Sequence, residues 1–373
     1  MRNQIALCLM MSSLAVFAGC KSDKKSTGAA DAGHDAAVAD AGSQDSGGGN
    51  TADSGSDAAV AATPAPDAER GRYIVENLAA CGDCHTPRDQ NGPILAKAFS
   101  GVDCFLDAIP PAGNGMGCIS TRNLTNDDTG LKKYTDQEIK NMFTKGKRPK
   151  GDPKGERLHP FMPYWVFGNM SDADADNVVA FLRSLPGVNH KLANQNEVPF
   201  TSPAQSTPVL DLATVPTPDK NRPNYAAAMR GRYIAANIGI CYECHTTRDS
   251  MDRPIPTKAY AGGRDFPRDA LGLPPSMFPS HIYSANLTSD TTGLKTWTVA
   301  QIVRALKKGI DDQSKPLCPP MPAGPMGAFG GMLATDALDV AYYLKSLPPV
   351  VNSVTMCVAG VTDADAGAAD AGN

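Results

Sequence analysis

Apolar positions along the chain fall into three helical stripes, and the same three return later. The first carries Tyr73, Ile74 and Leu78 on one face, matched by Tyr233, Ile234 and Ile238. The second opens at Thr135 with Glu138 three positions on, a capping box, and continues through Ile139, Met142 and Phe143. Its counterpart runs through Ile302, Val303 and Leu306 and stops at Gly309. The third begins at Ser171 (Thr335 in the later set), buries Val178, Val179, Phe181 and Leu182, and ends before Pro186. Few stretches alternate with period two, so the pattern predicts an all-α fold. Gly71 and Gly231 lie within the first stripe, where each either admits a close neighbour or is merely tolerated.

Outside these stripes the composition changes. Ile5 to Ala18 is an apolar run behind Arg2, too short for a stable membrane span, and reads as the signal peptide of residues 1–19. It closes on Phe17-Ala18-Gly19-Cys20, which resembles a bacterial lipobox and makes Cys20 the candidate lipidation site. Lys21 after it resembles the outer-membrane pattern, implying an exported, periplasmic-side lipoprotein. Residues 20–66 are Ala, Asp, Gly and Ser with almost nothing to bury, which predicts a disordered tether; the acidic tail 352–373 shares that character from Thr362 on. Residues 191–222 hold Pro199, Pro203, Pro208, Pro216 and Pro218 and read as an extended connector, with Val198, Phe200, Val209, Leu210 and Leu212 available to lie against both flanking regions. The net charge of −4 comes from the tether and tail, and residues 67–351 are close to neutral. Nothing in that balance points to nucleic acid.

Residue 70 laid over residue 230 exposes an internal repeat. Positions 70–89 and 230–249 share 12 of 20 residues, including Arg-Gly-Arg-Tyr-Ile and Asn77/Asn237. Asn123-Leu-Thr-Asn-Asp-Asp-Thr-Gly-Leu-Lys132 matches the block from Asn286 to Lys295 at 8 of 10 positions, and Phe181-Leu-Arg-Ser-Leu-Pro186 returns as Tyr343-Leu-Lys-Ser-Leu-Pro348. The expected organisation is a tandem duplication, with domains at 67–190 and 223–351.

Each copy contains C-x-x-C-H: Cys81, Cys84, His85 and Cys241, Cys244, His245. Two thiols three positions apart on one helical turn reach the two vinyl groups on one edge of a porphyrin, and the next histidine comes under the iron. Two such motifs in matching contexts point to two covalently bound haems c. For the other axial position, Met162 lies 77 residues after His85 and Met321 lies 76 after His245, both on proline-flanked loops. A thioether held by a stiff loop suits a His/Met iron. His159 is the rival in the first copy, but Cys318 occupies its place in the second. Four cysteines remain in the two copies. Export favours disulfides, and of the three possible pairings Cys104–Cys118 and Cys318–Cys357 are the most natural, tying down an insertion and a C-terminal extension.

The run C-x-x-C-H-T-x-R-D, N-L-T-x-D-x-T-G-L, P-x-M-P and Y/F-L-x-S-L-P resembles the class I cytochrome c domains in the cytochrome subunits of membrane-bound alcohol and gluconate dehydrogenases. Those subunits commonly carry three such domains, and this chain has two. The resemblance implies haem c in each copy, His/Met ligation, and electron transfer between redox partner proteins, a donor such as a dehydrogenase and a respiratory acceptor. It further places Asn123 and Asn286 near the haem edge, offers Tyr134 and Trp297 as hydrogen-bond partners of a propionate, and offers Arg88 and Arg248 as its counter-charges. The alternative is a dihaem redox enzyme, of peroxidase or thiosulfate-oxidising type, with one iron that opens. The paired methionines favour a carrier over an enzyme.

Overall fold

The computed structural model describes residues 65–89, 92–105, 120–152, 157–192, 208–250, 253–357, 360 and 362–363. The signal segment, Cys20, the tether up to residue 64, Cys118, Val198, Phe200 and the tail beyond residue 363 lie outside the described residues. In the first half, α1 (Ala68–Tyr73) starts at Asp67, whose carboxylate accepts the N–H groups of Glu69 and Arg70. It continues as a wider turn, Ile74–Leu78, that buries Ile74, Val75 and Leu78. Then come α2 (Cys81–His85), α3 (Asp136–Lys145), α4 (Tyr164–Phe167) and α5 (Asp172–Ser184). The second half repeats the order with α6 (Tyr225–Asn237), α7 (Cys241–His245), α8 (Val299–Lys308) and α9 (Ala334–Leu344). Among the described residues no helix is long and apolar enough to cross a membrane.

The capping box predicted at Thr135 and Glu138 is present in both directions, and α3 ends on Gly146 in the left-handed region, φ 60°. α8 has the same construction from Thr298, Gln301 and Gly309. The fold is helix-rich but not purely helical. β1 (Arg88–Asp89) pairs with β2 (Gly92–Pro93), and β3 (Asp265–Pro267) pairs with β4 (His281–Tyr283), both antiparallel. These correct the all-α expectation. Each closes a short excursion after a C-x-x-C-H turn, where backbone groups that no helix satisfies bond to each other instead.

The first and last helices of each half cross at a glycine. A Cβ added to Gly71 would stand 1.8 Å from the Asn177 carbonyl oxygen, and one on Gly231 would stand 2.0 Å from that of Asp339. Of the two readings open for these glycines, close approach is the one the packing requires. Beside each crossing an arginine pairs with a carboxylate of the same half, Arg70 with Asp174 at 3.1 Å and Arg230 with Asp339 at 2.7 Å.

The halves are joined reciprocally within one compact unit. Tyr73 accepts the Leu333 N–H (2.9 Å) and donates to Asp336 (2.7 Å), so it bridges the first turn of α9. Tyr233 does the same for α5, accepting from Ser171 N–H (2.9 Å) and donating to Asp174 (2.9 Å). This explains why α9 begins at Ala334 rather than at the expected Thr335: its N-terminal residue Leu333 has no capping side chain, and the other half supplies a hydroxyl there. Apolar residues of both halves then form one continuous core. The connector lies on both. Leu210 N–H donates to Trp165 O (2.9 Å), while the Leu212, Val215 and Pro216 carbonyls accept from Arg232.

The glycine crossings give a sharp expectation. Gly71→Ala or Gly231→Ala forces a methyl into a facing backbone carbonyl that cannot swing away, so each costs about 3 kcal/mol or more of unfolding free energy. Urea denaturation of the two variants checks this, and a loss near zero contradicts the crossing.

Candidate functional site

Each C-x-x-C-H turn is entered through a strained residue. Ala80 (φ 53°) and Ile240 (φ 49°) are left-handed, which breaks the first helix and starts a new turn in a different direction. All four thiols are free: Cys81, Cys84, Cys241 and Cys244. Burial pushes each of them up to about 12. A dithiol exchange site needs the opposite, a thiol held low and exposed as thiolate. Neither pair has the character of such an exchange site.

The histidine that ends each turn is held from behind. His85 and His245 are buried. His85 Nδ1 lies 2.8 Å from the Arg122 carbonyl oxygen, and His245 Nδ1 lies 2.8 Å from that of Ala285. Nδ1 must therefore be the protonated nitrogen, leaving the Nε2 lone pair for a metal. Burial lowers both imidazoles below their ordinary range, against the smaller opposing effect of that bond, which favours the neutral, ligating form.

What holds the carbonyl is the N-L-T loop. Asn123 is buried and fully spent: its amide donates to Thr129 Oγ1 (2.9 Å) and Val188 O (2.8 Å), and its oxygen accepts from Thr125 N–H (2.9 Å) and Oγ1 (2.7 Å). Asn286 repeats this with Thr292, Val350 and Thr288. These side chains tie the loop to the chain that leaves the last helix. The loop's link to the motif runs instead through the backbone carbonyl of the residue before each asparagine. A second strap comes from Gly101 N–H to His85 O (2.8 Å) and Gly262 N–H to His245 O (2.6 Å).

The methionine loops start from matching anchors. Leu158 N–H donates to Gly146 O (2.9 Å) and Leu317 N–H to Gly309 O (2.8 Å), so each loop hangs from the C-terminal glycine of the middle helix. Met162 and Met321 lie half-buried against the same core as Cys81, Cys241, Tyr134 and Trp297. His159 Nδ1 accepts from Phe161 N–H (3.1 Å), and burial lowers this imidazole to about 4. Cys318 is bonded to Cys357, and the C-terminal segment stays docked past it, with Gly360 N–H on Met277 O (2.9 Å) and Asp363 accepting from Ser280. Cys104 is disulfide-bonded.

The charged groups differ between halves. Arg88 pairs with Asp83 at 3.2 Å near the surface. Arg248 is half-buried, bonds Glu243 (2.9 Å) together with Arg264, and places its guanidinium 5.7 Å from the ring of Trp165 in the other half. The sequence reading missed two further cations. Arg122 and Arg148 are partly buried beside Tyr134, whose hydroxyl donates to Asp152 (3.2 Å). Burial and then Arg148 lower the Arg122 guanidinium to about 10, as expected of a cation seated where an anion would be welcome. Their counterparts in the second half, Ala285 and Asp311, carry no positive charge, so the repeat gave no signal for them.

Comparison with known proteins gives the family of the chain. A family model described as Cytochrome c matches residues 68–186. A protein of Cereibacter sphaeroides named "Diheme cytochrome c-type" is 43% identical over 302 residues, covering 76% of this chain and 87% of that protein. The "Gluconate 2-dehydrogenase cytochrome c subunit" of Pantoea cypripedii is 27% identical over 300 residues, and the "Fructose dehydrogenase cytochrome subunit" of Gluconobacter japonicus is 23% identical over 308. The chain spans 59% and 55% of the length of these two subunits.

Asn123→Leu or Asn286→Leu strands several buried donors and acceptors and is expected to cost roughly 2–5 kcal/mol of stability. In the folded variants the absorption spectrum stays that of the parent, because the side chain serves the loop. A spectral change without a drop in the urea midpoint would contradict that role.

Proposed function

Because the chain belongs to the cytochrome c family, whose members carry covalently bound haem, we propose that it is an exported dihaem electron carrier with one haem c in each half. The first would be held by Cys81, Cys84, His85 and Met162, and the second by Cys241, Cys244, His245 and Met321. The observation that carries this reading is the matched pair of buried histidines, each with Nδ1 2.8 Å from a backbone carbonyl and two free thiols in the same turn. When bound, the group supplies a one-electron couple at neutral pH.

The chain's own residues do the rest. His85 and His245 are held as neutral imidazoles with Nε2 free, and their carbonyl partners keep each ring from rotating. The apolar core packed against Cys81, Cys241, Met162 and Met321 keeps water away and, with thioether ligation, favours the reduced state. In the first half Arg122, Arg148 and Tyr134 would receive carboxylates of the group. In the second, Arg248 is already engaged with Glu243, so Trp297 is the remaining candidate there. The tandem repeat, joined by reciprocal tyrosines, makes the two sites parts of one relay. Cys20 would anchor the chain to a membrane by lipid. The names of the dehydrogenase subunits support a dehydrogenase as electron donor, and the acceptor in this reading is a respiratory component. Two methionine loops of matching construction support a carrier over an enzyme with an open iron.

The test is the optical spectrum of the oxidised holoprotein. Both irons should be low-spin, with a weak sulfur-to-iron charge-transfer band accounting for two haems. Met162→His and Met321→His should each remove about half of that band, in line with one thioether per iron. A high-spin signal at rest, or cyanide binding by the parent, would favour the enzyme.

A further inference from the structure

Beyond their matching anchors at Leu158 and Leu317, the two methionine loops are held by different chemistry at one position. Counted from those anchors, His159 corresponds to Cys318, Phe161 to Pro320 and Met162 to Met321. The first loop is braced by its own hydrogen bonds. His159 Nδ1 accepts the Phe161 N–H (3.1 Å), the Met162 N–H reaches His159 O (3.0 Å), and the Tyr164 N–H reaches Met162 O (2.7 Å). The second loop cannot repeat the first of these bonds, because Pro320 has no N–H and Cys318 has no ring nitrogen. In its place Cys318 is joined covalently to Cys357.

The far end of that bond is firmly seated. Asn352, upstream of Cys357 on the chain leaving α9, donates its side-chain amide to Ala261 O (2.8 Å) and its backbone N–H to Thr292 Oγ1 (3.0 Å). Gly262, next to Ala261, gives its N–H to His245 O (2.6 Å). Cys318 and Cys357 also pack on a small separate core of Leu273, Phe278 and Ile282. The disulfide therefore ties the loop that carries Met321 to the segment that straps His245. A neutral thioether stays at a ligand position only where its loop keeps it.

We propose that the Cys318–Cys357 disulfide is the positioning element for Met321, and that its cleavage by a dithiol reductant opens the second site to a small exogenous ligand while the first stays closed. This rests on the carrier reading given above, and it adds a thiol-sensitive control of one site. In the step, a thiolate of the reductant attacks and the S–S bond breaks. Two electrons and two protons pass to Cys318 and Cys357, which become thiols, and the reductant becomes a disulfide. The first loop's hold at the corresponding position is the His159 imidazole, which a thiol does not cleave.

The test compares the oxidised holoprotein with the double variant Cys318→Ala, Cys357→Ala, which leaves neither thiol to stand in as a ligand. Two quantities are read: the sulfur-to-iron band with a cyanide titration, and backbone hydrogen exchange over residues 317–324. The variant should keep about half of the band, bind cyanide at one site where the parent binds none, and exchange about tenfold faster in that loop. Residues 158–164 should exchange at the parent rate. The parent treated with dithiothreitol, alkylated with iodoacetamide and reoxidised with ferricyanide should behave as the variant does, which covers a variant that fails to fold. A full band without cyanide binding, in the variant or in the alkylated parent, would overturn the proposal, as would equal acceleration of both loops. A parent that lacks the band altogether would instead sink the carrier reading, and the exchange rate of residues 317–324 would then decide by itself whether the disulfide holds the loop.

Discussion

The hydrogen bond from each histidine ring to a backbone carbonyl, His85 to Arg122 and His245 to Ala285, is the contact on which the rest of each half depends. It selects the tautomer that can bind a metal, and it fixes where the free nitrogen points. The carbonyl stays in place because the next residue, Asn123 or Asn286, spends its whole amide on the N-L-T loop and on the strand of chain leaving the last helix. That last helix is in turn pressed against the first at Gly71 and Gly231, and the first helix delivers the C-x-x-C-H turn. The ring of contacts closes on itself, so each member is held by the next.

The two rings are not independent. Tyr73 and Tyr233 each bridge the first turn of the other half's last helix, so every last helix is packed by its own half and tied at its start to the other. The connector is bonded to both halves, and the Arg248 guanidinium lies over the ring of Trp165.

Much of this was legible in the sequence wherever the cause is local. A capping box is written within four residues, so α3 could be placed from Thr135 and Glu138. The motif and its spacing to Met162 and Met321 repeat along the chain and needed no structure to be seen. The parts that escaped are non-local or carried by backbone. No pattern in Tyr73 announces that its hydroxyl will cap a helix some 260 positions later, so the start of α9 was misplaced. A carbonyl that holds a histidine has no side-chain signature, so nothing in the sequence announced the contacts made by Arg122 and Ala285. Arg122 and Arg148 were overlooked because they are unique to one half, and a reading built on the repeat favours what recurs. The short strand pairs arise from loop closure, which periodicity does not detect.

In the proposed carrier each half holds its own covalently attached haem. The most direct measurement is the intact mass of the purified protein under denaturing conditions, taken with its alkaline pyridine spectrum. The account predicts a mass increased by two haems and a spectrum of the two-thioether type at two per chain. A single haem, or haem that dissociates on denaturation, would contradict it.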